Sequence, residues 1–182
     1  AITAVVVSLL SPILGALADR GGYRKFFLIS FTWICAIFSI LLYFPKAGDV
    51  YFALSLFIVA NIAFEMGSVF CNSYLPDLSE RKNIGKISGF AWGLGFVGGL
   101  SALFLSLMLF PNLDSEGIRS INILVGVWFL IFSIPTFLFI KDRKSEKLKK
   151  HHITDSFKSI KNTFQEVVKY KIILQFLIAR LF

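Results

Sequence analysis

Long apolar runs, nearly free of charge, alternate with short polar segments along this chain. Residues 1–18, 26–44, 51–74, 89–110 and 120–140 each form such a run, and a sixth begins near residue 172 and continues to residue 182. A helix that crosses a bilayer takes about 20 mainly apolar residues, because roughly 30 Å of hydrocarbon sets its length and no water is there to satisfy free backbone groups. The five complete runs meet that length. They predict an all-α fold, a polytopic membrane helical bundle, and the short connections favour antiparallel neighbours. A cleaved leader is a poor explanation of the first run, since no basic stretch precedes it and no small-residue cleavage site follows. Ala1 and Phe182 both fall inside apolar runs, so the sequence reads as a piece of something longer.

Polar residues inside the runs are few, which makes their positions informative. Glu65 lies about ten residues from one end of the third run and about fourteen from the other, near mid-membrane at helical rise. A carboxylate there costs a few kcal/mol, about 3 on insertion scales, and normally faces a cavity or a partner. Asn61, Glu65, Ser68 and Asn72 are spaced 4, 3 and 4 apart. At about 100° per residue that confines all four to an arc of roughly 60°. Two readings fit this polar stripe: hydrogen-bonding glue between helices, or the wall of a cavity that handles a solute or a proton. A carboxylate in low dielectric takes up protons more readily than in water, which makes the stripe a candidate proton pathway. Arg180, in the sixth run, is the one basic residue inside a span. It is either a counter-charge on that pathway or an arginine snorkelling to the interface.

The fourth run is rich in glycine. Gly89 with Gly93, and Gly95 with Gly99, form small-xxx-small pairs on two faces, with Gly98 beside them. Such pairs let helix backbones approach closely, so this helix is expected to be packed on two sides in the bundle centre, or to offer a smooth sliding surface.

Charge then sets orientation. The 182 residues are 56% hydrophobic and only 16% charged, where a soluble domain has about a quarter charged. The net charge of +8 is segregated: sixteen of the nineteen Lys and Arg residues fall in alternate loops, and the two other loops hold only Lys46 and Arg119. By the positive-inside rule the rich loops face the cytoplasm. Ala1 then starts on the outer side, which calls for at least one earlier span if the protein begins in the cytoplasm. This clustering between apolar runs also makes nucleic acid an unsuitable partner. Three regions follow: residues 1–140 with five spans, a basic cytoplasmic linker over 141–171, and the start of a further span over 172–182. Within the linker, Phe157, Ile160, Phe164, Val167 and Val168 recur at helical spacing after a cap at Asp155, predicting an amphipathic helix on the inner membrane face that serves as a linker or a regulatory element.

The groups an enzyme would need are sparse. Cys35 and Cys71 each stand alone in an apolar run, and His151 and His152 are adjacent and cannot share one helix face, so no metal is expected. No phosphate-cradling Gly-Lys-Ser or Gly-Lys-Thr motif is present, and no cofactor is called for.

The first basic loop, residues 15–25 (GALADRGGYRK), resembles the loop signature that follows the second span in the major facilitator superfamily. Gly15, Asp19, Arg20, Gly22 and Arg24 match it; Tyr23 stands where a basic residue is usual, with Lys25 next to it. Two further stretches, residues 70–77 (FCNSYLPD) and 87–99 (ISGFAWGLGFVGG), look like the vacuole-effluxer-like branch, related to autophagy-associated exporters of amino acids. The glycine run is also similar to an antiporter signature, but Gly95 stands where that signature has proline. The resemblance implies spans two to six, the central linker and the start of span seven of a secondary transporter in a bacterial cell membrane. It puts Glu65 on the fourth span and Arg180 on the seventh, both lining the cavity, and makes the first loop a latch in which Asp19 pairs with a positive group or a helix N-terminus. The implied partners are the bilayer, a small solute such as an amino acid, a coupling proton and the remaining spans of the same protein. A non-transporting membrane scaffold or assembly protein is the alternative, although it would not need a mid-membrane carboxylate aligned with two asparagines.

Overall fold

The computed structural model describes residues 2–111 and 114–141. The basic linker and the sixth run, with Arg180, lie outside the described residues. Six α-helices and one short 3-10 turn make up the described chain: α1 (Ile2–Gly21), α2 (Arg24–Leu41), α3 (Val50–Asn72), the single turn α4 (Leu75–Leu78), the 3-10 turn Arg81–Asn83, α5 (Ile84–Leu109) and α6 (Ser115–Phe139). Among the described residues four helical stretches are long and apolar enough to cross a membrane, Arg24–Leu41, Val50–Leu78, Ile84–Leu109 and Ser115–Phe139. They carry the second to fifth predicted runs, and the first run forms α1.

The helix ends follow from local chemistry. Gly22 takes φ +65 after α1, a left-handed conformation open to glycine at little cost, and this reverses the chain so that the Tyr23 amide donates to the Ala18 carbonyl at 3.1 Å. Between α2 and α3, Gly48 at φ +107 supplies the second such turn, and the Asp49 carboxylate accepts from the Lys46 amide at 3.0 Å. Helix α6 starts five residues before its apolar run because Asp114 caps it, accepting from the Gly117 amide at 2.7 Å. Helix α5 likewise begins at Ile84, ahead of its glycine run.

Helix α2 lies between α3 and α6, and α1 packs across α3. Ala18, Leu28, Met66, Phe70 and Tyr74 form the buried cluster where α1, α2 and α3 meet. Phe27 and Phe31 of α2 stack on Phe70 with ring centroids 5.2 and 5.8 Å apart, so the pairing of α2 with α3 is largely aromatic. Apolar burial drives little helix association in lipid, and close van der Waals packing replaces it. The contact of α2 with α6 shows this most clearly. A Cβ built on buried Gly126 would lie 2.5 Å from Ile40 Cγ1 and 2.9 Å from the Ala36 carbonyl oxygen.

The glycines of α5 behave otherwise. Apart from the adjacent residues and backbone of α5 itself, no atom of the described residues lies within 4 Å of a Cβ built at Gly89, Gly93, Gly95, Gly98 or Gly99, and Ser106 is the helix's buried residue. The expectation that α5 is packed on two sides is therefore not met within the described bundle. Small-xxx-small pairs permit close approach, but only a neighbouring helix with a matching surface realises it. Here that approach falls to Gly126 of α6.

Buried hydroxyls are satisfied locally. Thr32 donates to the Leu28 carbonyl and Ser106 to that of Ala102, each at 2.8 Å, as a medium without water demands.

Candidate functional site

Helix α3 presents two opposed faces. Its buried residues, Leu56, Ala60, Ala63, Met66, Gly67 and Phe70, lie roughly 140–260° round the axis from Asn61 at about 100° per residue. These pack against α1 and α2. The polar stripe occupies the other side: Glu65 and Asn72 are exposed, and Asn61 and Ser68 are half-buried. All four stripe residues therefore share the face that the described bundle leaves open. Among the described residues no hydrogen bond or ion pair reaches Glu65, so no described helix uses it as a bonding partner.

Glu65 is also the one charged residue well inside a described span; Asp19, Arg20, Arg24, Lys25, Lys86, Glu116 and Arg119 all sit within about a turn of a helix end. It stands fifteen residues after Val50 and seven before Asn72, about 10 Å from the nearer end at helical rise. Phe57 and Phe64, 54% and 47% exposed, line one flank of the stripe, and the Phe64 ring leans on Phe129 of α6 at 6.0 Å.

A second constellation forms at the basic-loop end of the same helix. Arg24 opens α2, and its Nη1 meets the Asp77 carboxylate at 2.9 Å, with the two side chains only 19% and 20% exposed. The same nitrogen donates to the Ser73 carbonyl at 3.4 Å, which satisfies an orphan carbonyl at the end of α3. The guanidinium also lies over the ring of buried Tyr74, 5.9 Å from its centroid. Three contacts of different kinds thus fasten the α1–α2 loop to the α3–α4 corner. Of the predicted loop residues, Gly22 forms the turn and Arg24 the bridge, while Gly15 lies on α1 with open space where a Cβ would be. Asp19 and Arg20 occupy the last turn of α1; their side chains lie outside the description, and with them the expected pairing of Asp19.

Sequence reasoning missed Asp77, Ser73 and Tyr74 as partners of Arg24. The only signal was their place in the conspicuous stretch FCNSYLPD; nothing local says which cation a carboxylate 53 residues further on will meet.

At the opposite end, Arg119 lies over the Tyr43 ring at 5.7 Å and donates to the Ser115 carbonyl at 3.0 Å, tying the start of α6 to the end of α2. A groove of about 510 Å³ between α5 and α6, lined by Val97, Leu100, Phe104, Leu105, Met108 and Trp128 with Ser101, holds none of the stripe residues.

Comparison with known proteins gives a consistent set of likenesses. The family model described as vacuole effluxer Atg22 like matches residues 1–182. An uncharacterized MFS-type transporter of Bacillus subtilis is 26% identical over 190 aligned residues, covering 100% of this chain and 44% of that protein. Autophagy-related protein 22 of Pichia angusta is 27% identical over 158 residues, covering 72% of this chain and 28% of the relative, and its counterpart in Yarrowia lipolytica is 25% identical over 190 residues. The chain thus spans less than half the length of these relatives. No solved structure matches it.

Proposed function

A chain matched over its whole length by the vacuole effluxer Atg22 like family belongs to that family, and on that premise we propose that the protein is a secondary active transporter that moves a small solute across a membrane by alternating access. The observation that carries this reading is the open polar face of α3, where Glu65 stands exposed and unpaired among the described residues beside Asn61, Ser68 and Asn72. An exposed carboxylate at that depth is costly in lipid and tolerable beside water, so the stripe is a cavity wall and the opposite face of α3 is its anchorage.

In such a transporter the site lies near the midplane and two halves rock around it. Arg24 and Asp77 supply a fixed corner for that motion. They hold the α1–α2 loop on the end of the helix that carries Glu65, so loop and stripe move together. Amino acids are the solute class that the resemblance of the 70–77 and 87–99 stretches implies. A proton taken up at Glu65 is the proposed coupling ion. The bacterial relative is consistent with a cell membrane as the location, and the segregated Lys and Arg residues support basic loops in the cytoplasm.

The test is flux. Full-length protein in proteoliposomes should exchange at least one labelled amino acid by counterflow, and Glu65→Gln should abolish pH-driven accumulation while leaving the protein folded. Accumulation unchanged by Glu65→Gln would reject the proton role. Absence of flux for every solute tried would favour the scaffold alternative.

A further inference from the structure

We propose that the start of α5 holds an anionic phospholipid on the basic-loop side of the membrane, with Lys82 and Lys86 on its phosphate and Ile87 and Phe90 against the upper acyl chains. The site lies apart from the polar stripe of α3 and uses none of its residues.

Depth is the first observation. Helix α5 has 26 residues, about 39 Å at helical rise, where the hydrocarbon needs only about 20 residues. Its far end is apolar to the last turn, Leu107, Met108 and Leu109, so the surplus falls at the start. A stretch of about 20 residues counted back from Leu109 ends at Phe90. Lys86 stands one turn beyond that boundary, about 6 Å further out, at the level of lipid phosphates.

Charge and exposure point the same way. Lys82, in the 3-10 turn, and Lys86, in the first turn of α5, lie about one helical turn apart, and both are exposed. Lys82 meets Glu80 at 2.9 Å, with the side chains 77% and 71% exposed. A pair so open to water is weak and leaves the ammonium available to a phosphate. Deeper along the helix, Ile87 and Phe90 are 39% and 71% exposed. Two lysines at the phosphate level with bared apolar side chains beneath them match a phospholipid, which presents a charged headgroup and then acyl chains in that order of depth. Juxtamembrane lysines are drawn to the anionic lipids of a cytoplasmic leaflet. A soluble acidic partner would engage the lysines alone and leave Ile87 and Phe90 bare.

Full-length protein in neutral detergent is titrated with dioleoylphosphatidylglycerol, dioleoylphosphatidylcholine or sodium phosphate, and its melting temperature is read at each concentration. The wild type is expected to respond to phosphatidylglycerol at several-fold lower concentration than to phosphatidylcholine, and about 0.5 M sodium chloride should erase most of that difference. Lys86→Gln should raise the half-saturating phosphatidylglycerol concentration about fivefold, and the double variant with Lys82→Gln about thirtyfold, with the phosphatidylcholine response unchanged. Lys46→Gln removes an equal charge from a loop at the opposite end of the bundle and should change neither response. Equal responses of the wild type to the two lipids overturn the site. So does a phosphatidylglycerol response unmoved in the folded double variant, or the same loss from Lys46→Gln. Stabilisation by phosphate alone at matching concentrations assigns the lysines to a soluble anion and overturns the lipid. If the double variant does not fold, the wild-type lipid and salt comparisons decide, together with Lys86→Arg, which should keep the preference. None of these readings needs flux, so failure here leaves the transporter reading intact.

Discussion

Adding one methyl group at Gly126 tests how closely α2 and α6 approach. In the structure the new Cβ would stand 2.5 Å from Ile40 Cγ1, 3.2 Å from Ile40 Cδ1 and 2.9 Å from the Ala36 carbonyl oxygen. Carbon atoms sit comfortably at about 3.5–4.0 Å, so the methyl needs roughly 1 Å of extra room from Ile40 and roughly half as much from the Ala36 oxygen. Ile40 is half-buried on a helix and can turn only partly, and the Ala36 oxygen is backbone and moves only with α2. The helices must therefore part, or Ile40 must leave its rotamer. Overpacking of this kind costs typically about 1–3 kcal/mol. The upper half of that range is expected for Gly126→Ala, because one obstacle is main chain. Thermal or denaturant unfolding of the full-length protein in detergent reads the loss. The double variant with Ile40→Ala removes both side-chain clashes but leaves the carbonyl, so it should recover about half of the coupling, beyond the sum of the single effects. Gly126→Ala as stable as wild type, or no rescue by Ile40→Ala, would refute the close approach.

Other perturbations address the corner and its turn. Asp77→Asn should destabilise by about 1–2 kcal/mol, between an exposed pair and a fully buried one; the exchanged pair Arg24→Asp with Asp77→Arg should recover part of it, and a Tyr74 contact too strong to tolerate the swap would show as no recovery. Gly22→Ala must adopt φ +65 and is expected to cost about 1–2 kcal/mol; an unchanged melting point would mean the turn rearranges freely. Asp19→Asn is expected to slow solute exchange more than it changes apparent affinity, and the opposite split would count against a latch.

Much of the bundle was legible because membrane spans are written in length. Twenty or so apolar residues leave few alternatives once backbone groups must be satisfied internally, and all five complete runs reappear as helices of 18 residues or more. The facing of Glu65 was legible too, since a period of about 3.6 residues fixes which neighbours share its side. The structure adds that this side is opposite the packed one. Pairings over long sequence distances were not legible. The glycines of α5 announced close packing, yet the tightest approach is at Gly126, a lone glycine in α6 whose partner Ile40 is far away in the chain. Arg24 was marked by its motif, but its match with Asp77 depends on how α2 and α3 meet, which the stacked Phe27, Phe31 and Phe70 decide. The start of α6 was not legible from hydropathy, because Asp114 caps the helix five residues before its apolar run begins.

The seat of α6 on α2 has a consequence for how the protein is made. Helices α2 and α3 are consecutive and antiparallel, so they can pair as a hairpin as soon as both have left the ribosome. Ala36 and Gly126 have the whole of α3 and α5 between them, and at about 5–20 residues per second they are synthesised several seconds apart. During that interval the groove on α2 around Ala36 and Ile40 faces lipid or the insertion machinery, and α5 must enter the bilayer and step aside before α6 can dock. The contact of α6 with α2 therefore forms late relative to that of α2 with α3, on a glycine against a main-chain oxygen, and a substitution at Gly126 acts on the docking of α6 during membrane integration as well as on the packed helices.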